Sequence, residues 1–153
     1  MKQNKRKISV TGLGYVGLPV AIGFAEAKFS VIGFDVDEGR INDLNKAIDV
    51  TFEVENNRLA NPKITYTSSP SAIRDADFHI ITVPTPVTDN CEPDISFLIS
   101  ASQTVGKQLT VGDIVVYEST VYPGCTEEDC IPILEAASTL TAGRDFFVGY
   151  SPE

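Results

Sequence analysis

The sequence predicts an α/β fold, a doubly wound parallel sheet with strand order 3-2-1-4-5-6. Three observations carry that prediction. Short apolar runs rich in Val, Ile and Phe alternate with segments of helical periodicity along the 153 residues, the pattern of repeated βαβ units with right-handed crossovers. One run, Asp77–Val83 (DFHIITV), is apolar almost throughout, as a strand covered on both faces of a parallel sheet must be. Between the first run and the first helical segment, glycines fall at Gly12, Gly14 and Gly17, the G-x-G-x-x-G spacing of a strand-to-helix turn in such sheets.

Each element has a local reason. The first strand is predicted over about Lys7–Thr11 and the first helix over about Tyr15–Ala27. Val16, Val20, Phe24 and Ala27 recur at helical spacing and are expected to face the sheet. Pro19 sits in the opening turns, where a missing N–H costs little. After a second strand over about Ser30–Asp35, Asp37 caps a helix reaching about Ile48, with Ile41, Leu44 and Ile48 on one face. Asp49–Asn61 is polar and predicts no element. Ile64–Thr67 reads as a short third strand, and Ser69-Pro70 opens a short helix through Ile73 with Pro70 at its first position. The fourth strand runs into PTPVTDNCEPD, too rich in proline for helix or ladder. Asp94 and Ser96 start a long helix to about Leu109, and Gly112-Asp113 turns into a fifth strand, Ile114–Glu118. Thr126 with Glu127, Glu128 and Asp129 begins another helix, acids first as the helix dipole favours. Pro132 breaks or kinks it before Ile133, Leu134 and Ala137 continue, and Phe146–Tyr150 is a sixth strand.

The glycine turn is a candidate dinucleotide site of the Rossmann kind. Gly12 permits the tight turn, Gly14 lets a pyrophosphate approach the backbone because it has no Cβ, and Gly17 lets the helix pack close to the strand. The helix start offers unpaired N–H groups and a partial positive charge. Asp35 ends the second apolar run 18 residues past Gly17, near the ~20 expected of the acid that holds the adenosine ribose. A carboxylate there accepts bonds from the ribose hydroxyls and repels a 2′-phosphate, so NAD is favoured over NADP. Arg40 is the competing signal, because a guanidinium can stack on adenine or pair with a phosphate. The plain alternative is a structural glycine turn beside a solvated acid; the Asp35 spacing weighs against it.

Ligands of open α/β sheets bind beyond the carboxyl ends of the strands. That rule adds Val83-Pro84-Thr85-Pro86, Glu118-Ser119-Thr120-Val121 and Ser151-Pro152-Glu153 to the candidates. The plain alternatives are a stiff turn for the prolines and helix capping for Ser119 and Thr120.

Composition narrows the class. Hydrophobic residues make up 42% and charged ones 22%, which suits one globular domain rather than a disordered chain. The net charge of −9 argues against nucleic acid and anionic membranes as partners, though backbone amides can still bind a phosphate. The basic start MKQNKRK is followed by an apolar stretch broken by glycines, which reads as strand and turn and not as a signal peptide. Three cysteines (Cys91, Cys125, Cys130) form no disulfide framework and fit a reduced, cytoplasmic setting. One histidine and no Cys-x-x-Cys predict no metal site. His79, inside an apolar strand, reads as a packing residue, Cys130 as a small helix-packing residue, and Cys91 as exposed.

Four segments in order carry a more specific resemblance: GLGYVGLPVA (Gly12–Ala21), TVPTPV (Thr82–Val87), YESTVYPGCTEE (Tyr117–Glu128) and GYSPE (Gly149–Glu153). Together they resemble the UDP-glucose/GDP-mannose dehydrogenase family, and within it the UDP-N-acetylhexosamine 6-dehydrogenases of bacterial polysaccharide and capsule synthesis. The resemblance implies oxidation of the C6 hydroxymethyl of a nucleotide sugar to a carboxylate with two NAD, the aldehyde being held on a cysteine thiolate between the two hydride transfers. It also implies that residues 1–153 are the NAD-binding domain of a longer enzyme whose dimerisation and substrate domains lie elsewhere. The full protein would be a homodimer and the isolated piece a monomer.

Carried over by position, the resemblance places the pyrophosphate on Leu13, Gly14, Tyr15 and Val16, and the adenosine end on Asp35 and Arg40. Val83, Pro84, Thr85 and Pro86 would line the cofactor, Ser119 and Thr120 would lie by the nicotinamide, and Thr120 would also hold a catalytic water. Glu153 matches the general base of the S-P-E motif. The nucleophilic cysteine belongs to a later domain, so Cys125 is not assigned that role. Two other readings compete: a non-catalytic NAD-binding or redox-sensing module, and another two-domain dehydrogenase acting on hydroxy acids. Neither accounts for the ESTVYPG and SPE segments.

Overall fold

The structure, a computed structural model, describes residues 6–152; Glu153 and the first five residues lie outside it. Six parallel strands form one sheet: β1 (Lys7–Thr11), β2 (Ser30–Phe34), β3 (Ile64–Thr67), β4 (Phe78–Ile81), β5 (Ile114–Tyr117) and β6 (Phe147–Tyr150). Their order is β3-β2-β1-β4-β5-β6, as predicted. The chain reverses direction across the sheet between β1 and β4, where Ile8 pairs with Val31 on one side and Phe78 on the other.

Alternate strand residues feed two cores, one on each face. Ile8, Val10, Val31, Ile64 and Ile80 pack with helix α1 (Gly17–Glu26) and with Ile41 and Leu44 of α2 (Glu38–Asn45). Ile81, Val115 and Tyr117 pack with Leu98 and Val105 of α4 (Ser96–Gly106) and Leu134 of α5 (Ile131–Ser138). Between the strands, His79 is fully buried, with Nδ1 2.7 Å from Ser9 Oγ and Nε2 3.2 Å from Asp113 Oδ2. It is a packing histidine whose polar atoms are satisfied by its neighbours in the sheet.

Several boundaries differ from the sequence reading. In α1 the buried stripe is Leu18, Ala21, Ile22 and Ala25, not the Val16, Val20, Phe24 and Ala27 stripe. The helix is apolar nearly all round, so periodicity offered two stripes, and the close approach of Gly17 to Gly12 selects one of them. The second helix ends at Asn45, and Ile48 is exposed rather than on its buried face. Ala47 turns the chain outward with φ +60°. The unassigned stretch holds a single helical turn, α3 (Asn56–Leu59), anchored by buried Leu59, whose carbonyl accepts from Tyr66 Oη. Within the proline-rich loop Val87 and Pro93 make one isolated antiparallel bridge. Pro132 does not break its helix. A wider π turn, Thr126–Cys130, runs directly into α5 and accommodates Pro132, which has no N–H to donate, at the start of that helix.

Candidate cofactor-binding site

The site lies where β1, β2, β4 and β5 end. Past Thr11, Gly12 turns the chain with φ +93°. Its N–H donates to Phe34 O at 2.9 Å, and the Thr82 hydroxyl is shared between Thr11 O at 3.0 Å and Gly12 O at 2.7 Å. A Cβ on Gly17 would lie 1.7 Å from Gly12 O, so only glycine lets α1 start here. Gly14 faces open space, with no atom within 4 Å of where a Cβ would stand.

Asp35 follows β2 and is half-buried. Its Oδ2 accepts the Leu13 N–H at 2.9 Å, and its Oδ1 accepts the Asp37 N–H at 3.0 Å. A carboxylate offers about four lone-pair sites, so each oxygen can still accept a ligand hydroxyl. Arg40, expected at the adenosine end, is instead buried: Nε donates to Leu13 O at 2.9 Å and Nη1 to Asp49 Oδ1 at 2.8 Å.

The loops after β4 and β5 are braced to each other. Ser119 Oγ donates to Val83 O at 2.9 Å, and Thr85 Oγ1 donates to Thr120 O at 2.6 Å. Ser119 is buried, whereas Pro84 and Thr120 are exposed.

These loops enclose one cavity of about 620 Å³, a size ordinary for a cofactor site. Gly12, Gly14, Tyr15 and Val16 line it from the glycine turn and Asp35 from the tip of β2. Val83, Pro84, Thr85, Ser119 and Thr120 line it from the other side. The buried Thr11 hydroxyl beside this cavity has no partner among the described residues, a polar atom that a bound molecule or ordered water can satisfy. Leu13, Gly17, Arg40 and Pro86 do not line it, and Glu153 lies outside the described residues. Leu13 and Gly17 act beneath the surface, one as a core side chain and the other as the point of closest packing.

One wall was missed from sequence. Phe97, Ser100, Ala101 and Thr104 of α4 face the cavity, as does Val36 after Asp35. Their spacing, i, i+3, i+4 and i+7, is itself a stripe, but Ser and Thr within it hid a cavity-facing surface behind ordinary helix polarity.

Burial pushes the Cys125 thiol up and the Cys130 thiol up to about 12, so neither is a ready thiolate. Among the described residues no group of three His, Cys, Asp or Glu could hold a metal ion, and no helix is long and apolar enough to cross a membrane.

The family described as "UDP-glucose/GDP-mannose dehydrogenase family, NAD binding domain" matches residues 6–153. Protein CapL of Staphylococcus aureus is 57% identical over 97% of this chain and 35% of its own length. UDP-N-acetyl-D-glucosamine 6-dehydrogenase of Salmonella typhi is 51% identical over 96% of this chain and 35% of its own. The solved structure of UDP-D-ManNAc dehydrogenase from Pyrococcus horikoshii superposes with a TM-score of 0.90 at 35% identity, covering 96% of this chain and 36% of that one. The chain thus spans about a third of the length of the relatives it matches.

Proposed function

The chain belongs to the UDP-glucose/GDP-mannose dehydrogenase family through its NAD binding domain, and from that premise we propose that it is the cofactor-binding part of a longer, NAD-dependent UDP-N-acetylhexosamine 6-dehydrogenase. The observation that carries this reading is the cavity that joins the glycine turn and Asp35 to the loops holding Thr85 and Thr120. The acetylated hexosamine is supported by the substrate in the name of the Salmonella typhi relative. A cytoplasmic setting is supported by three cysteines with no disulfide.

Bound NAD supplies the hydride acceptor. The chain's own residues bind and orient it: the backbone at Gly14–Val16 takes the pyrophosphate, and Asp35 takes the ribose hydroxyls. Val83, Pro84 and Ser119 shape the slot for the nicotinamide. Thr120 holds a water or substrate hydroxyl beside it, and Glu153 serves as general base. The nucleophilic thiol and most sugar contacts come from polypeptide beyond these residues, and the full enzyme is a homodimer.

The test compares the 153-residue chain with the full-length polypeptide. The chain is expected to bind NAD and to form no NADH with UDP-N-acetylglucosamine, UDP-N-acetylgalactosamine, UDP-glucose or GDP-mannose. The full-length polypeptide is expected to form two NADH per sugar with one of the acetylated substrates. NAD binding without turnover by the full-length polypeptide on any of the four would overturn the enzyme reading in favour of a sensing module.

A further inference from the structure

Leu13 is gripped on both sides of its Cα, through its N–H and through its carbonyl, by side chains far away in sequence. Asp35 accepts its N–H, and Arg40 Nε donates to its carbonyl at 2.9 Å. The Leu13 carbonyl and the Gly14 N–H share one planar trans peptide and point in opposite directions. By holding the carbonyl, Arg40 therefore fixes the direction of the Gly14 N–H on the wall of the cavity.

Arg40 is itself held by a built loop. Asp49 is buried and receives five donors: Arg40 Nη1 at 2.8 Å, Thr51 N and Oγ1 at 2.9 and 2.6 Å, Glu53 N at 2.9 Å and Val54 N at 3.0 Å. Thr51 Oγ1 also accepts from Arg40 Nη2 at 3.4 Å. Closing this loop puts Ala47 at φ +60° and Phe52 at φ +55°, with the Phe52 side chain 92% exposed. Left-handed backbone at non-glycine residues is unfavourable and persists only where surrounding bonds over-determine it. The loop spends that strain, and leaves an aromatic ring in water, to deliver one carboxylate to one guanidinium.

Resting on the NAD reading above, we propose that Asp49 and Arg40 are a positioning pair for the pyrophosphate: Asp49 anchors Arg40, and Arg40 orients the Leu13–Gly14 peptide toward the phosphates. Neither side chain need touch the cofactor. The pairing also matches the guanidinium with Asp49 rather than with Asp35, which lines the cavity.

The pair predicts a selective loss. Arg40→Lys keeps a cation beside Asp49, but one ammonium cannot replace a planar fork that serves Leu13 O and Asp49 together. Asp49→Asn removes the charge that anchors Arg40 and turns an amide NH₂ toward groups that are themselves donors. In both variants the Kd of NAD rises about tenfold, the worth of one well-placed hydrogen bond to a charged group. The Kd of adenosine, which has no phosphate, stays within about twofold on the same scale. Calorimetry for NAD and NMR titration for adenosine, on the 153-residue chain with melting recorded in parallel, read these numbers. A merely structural pair would lower the melting temperature and leave the NAD-to-adenosine ratio unchanged, which overturns the proposal. Unchanged NAD binding by folded Arg40→Lys overturns it as well, and that variant decides the matter if Asp49→Asn does not fold. A wild-type chain that binds no NAD takes down the cofactor reading and this proposal together.

Discussion

The two ends of the cavity are built by different chemistry. At the Gly12–Asp35 end, ionised side chains reach across 22 and 27 residues of sequence to hold the Leu13 backbone. At the Val83–Thr120 end, two neutral hydroxyls bridge two loops, and Pro84 and Thr120 stand exposed. Hydrogen bonds to charged groups contribute about 1.5–3 kcal/mol each, against about 0.5–1.5 kcal/mol for neutral ones. The first end is therefore preorganised, its cost met by folding, while the second retains freedom to adjust to what lies against it. The difference suits a chain that makes one grip permanent and leaves the other end adaptable.

The sharpest way to break that contrast is Gly17→Ala. The added Cβ would sit 1.7 Å from Gly12 O and 2.4 Å from Thr82 Oγ1, and the nearer atom is backbone that cannot swing aside. Overpacking of this kind costs about 1–3 kcal/mol or more, so both urea stability and NAD affinity are expected to collapse together. Gly14→Ala is the matching control. With no atom within 4 Å of the new methyl, stability should stay within about 0.5 kcal/mol while NAD binding weakens, because the methyl occupies the approach to the backbone.

Asp35→Ala comes next. It removes an acceptor for Leu13 N–H and Asp37 N–H as well as the proposed ribose partner, and NAD affinity should fall by about 10–100-fold. Wild-type affinity in the Ala variant would mean that the first end is not where the dinucleotide is held.

How much of this contrast was legible in the sequence depended on how local its causes are. The turn from Gly12 to Gly17 and the acid at Asp35 were readable, since each follows from strand, turn and helix in immediate succession. The α1 stripe was not, because Val16 and Leu18 begin equally apolar stripes and only the Gly17–Gly12 contact chooses between them. The role of Arg40 was hidden for a similar reason. Its partner Asp49 is brought to it by a loop with left-handed residues at Ala47 and Phe52, where nothing in the sequence calls for glycine-like backbone. The Phe97–Thr104 wall had the right spacing but was read only as a helix surface.

A pH series separates the fold from the site. Asp113 sits at the amino end of β5, away from the cavity at the carboxyl ends of the strands. Burial works to raise its pKa, but bonds from His79 and from the Thr110 N–H outweigh that and hold it below the ordinary 3.8. A carboxyl whose folded pKa is depressed stabilises the fold above its unfolded value and loses that contribution as pH falls through the folded one. Asp113→Asn should thus be less stable than wild type at neutral pH, with the gap closing well below 3.8, in urea melts across the range. NAD affinity of this variant at neutral pH should match wild type. A loss would mean that the sheet network reaches the cavity and that the two ends are not independent.

At the second end, Thr85→Val and Ser119→Ala each remove one neutral bond, to Thr120 O and to Val83 O. Each is expected to cost about 0.5–1.5 kcal/mol or less, and the sensitive measurement is amide hydrogen exchange. Faster exchange confined to the Val83–Pro86 and Ser119–Val121 segments would confirm that these hydroxyls brace the two loops. Exchange that quickens equally around Leu13 would show one rigid unit and erase the difference between the ends.

The smallest effect is reserved for cysteine labelling. Cys91 is exposed in the loop bridged by Val87 and Pro93, on the side of the second end, whereas Cys125 and Cys130 are buried. Alkylation proceeds through the thiolate, and burial raises both inner thiols. Iodoacetamide at neutral pH is therefore expected to add one group per chain, at Cys91, with NAD affinity unchanged because this residue does not line the cavity. Labelling of Cys125 at a comparable rate would report that the segment after β5 opens in solution, making the second end looser than its two hydroxyl bonds allow. Protection of Cys125 by NAD, but not by adenosine, would then identify that opening as the motion the nicotinamide half of the cofactor closes.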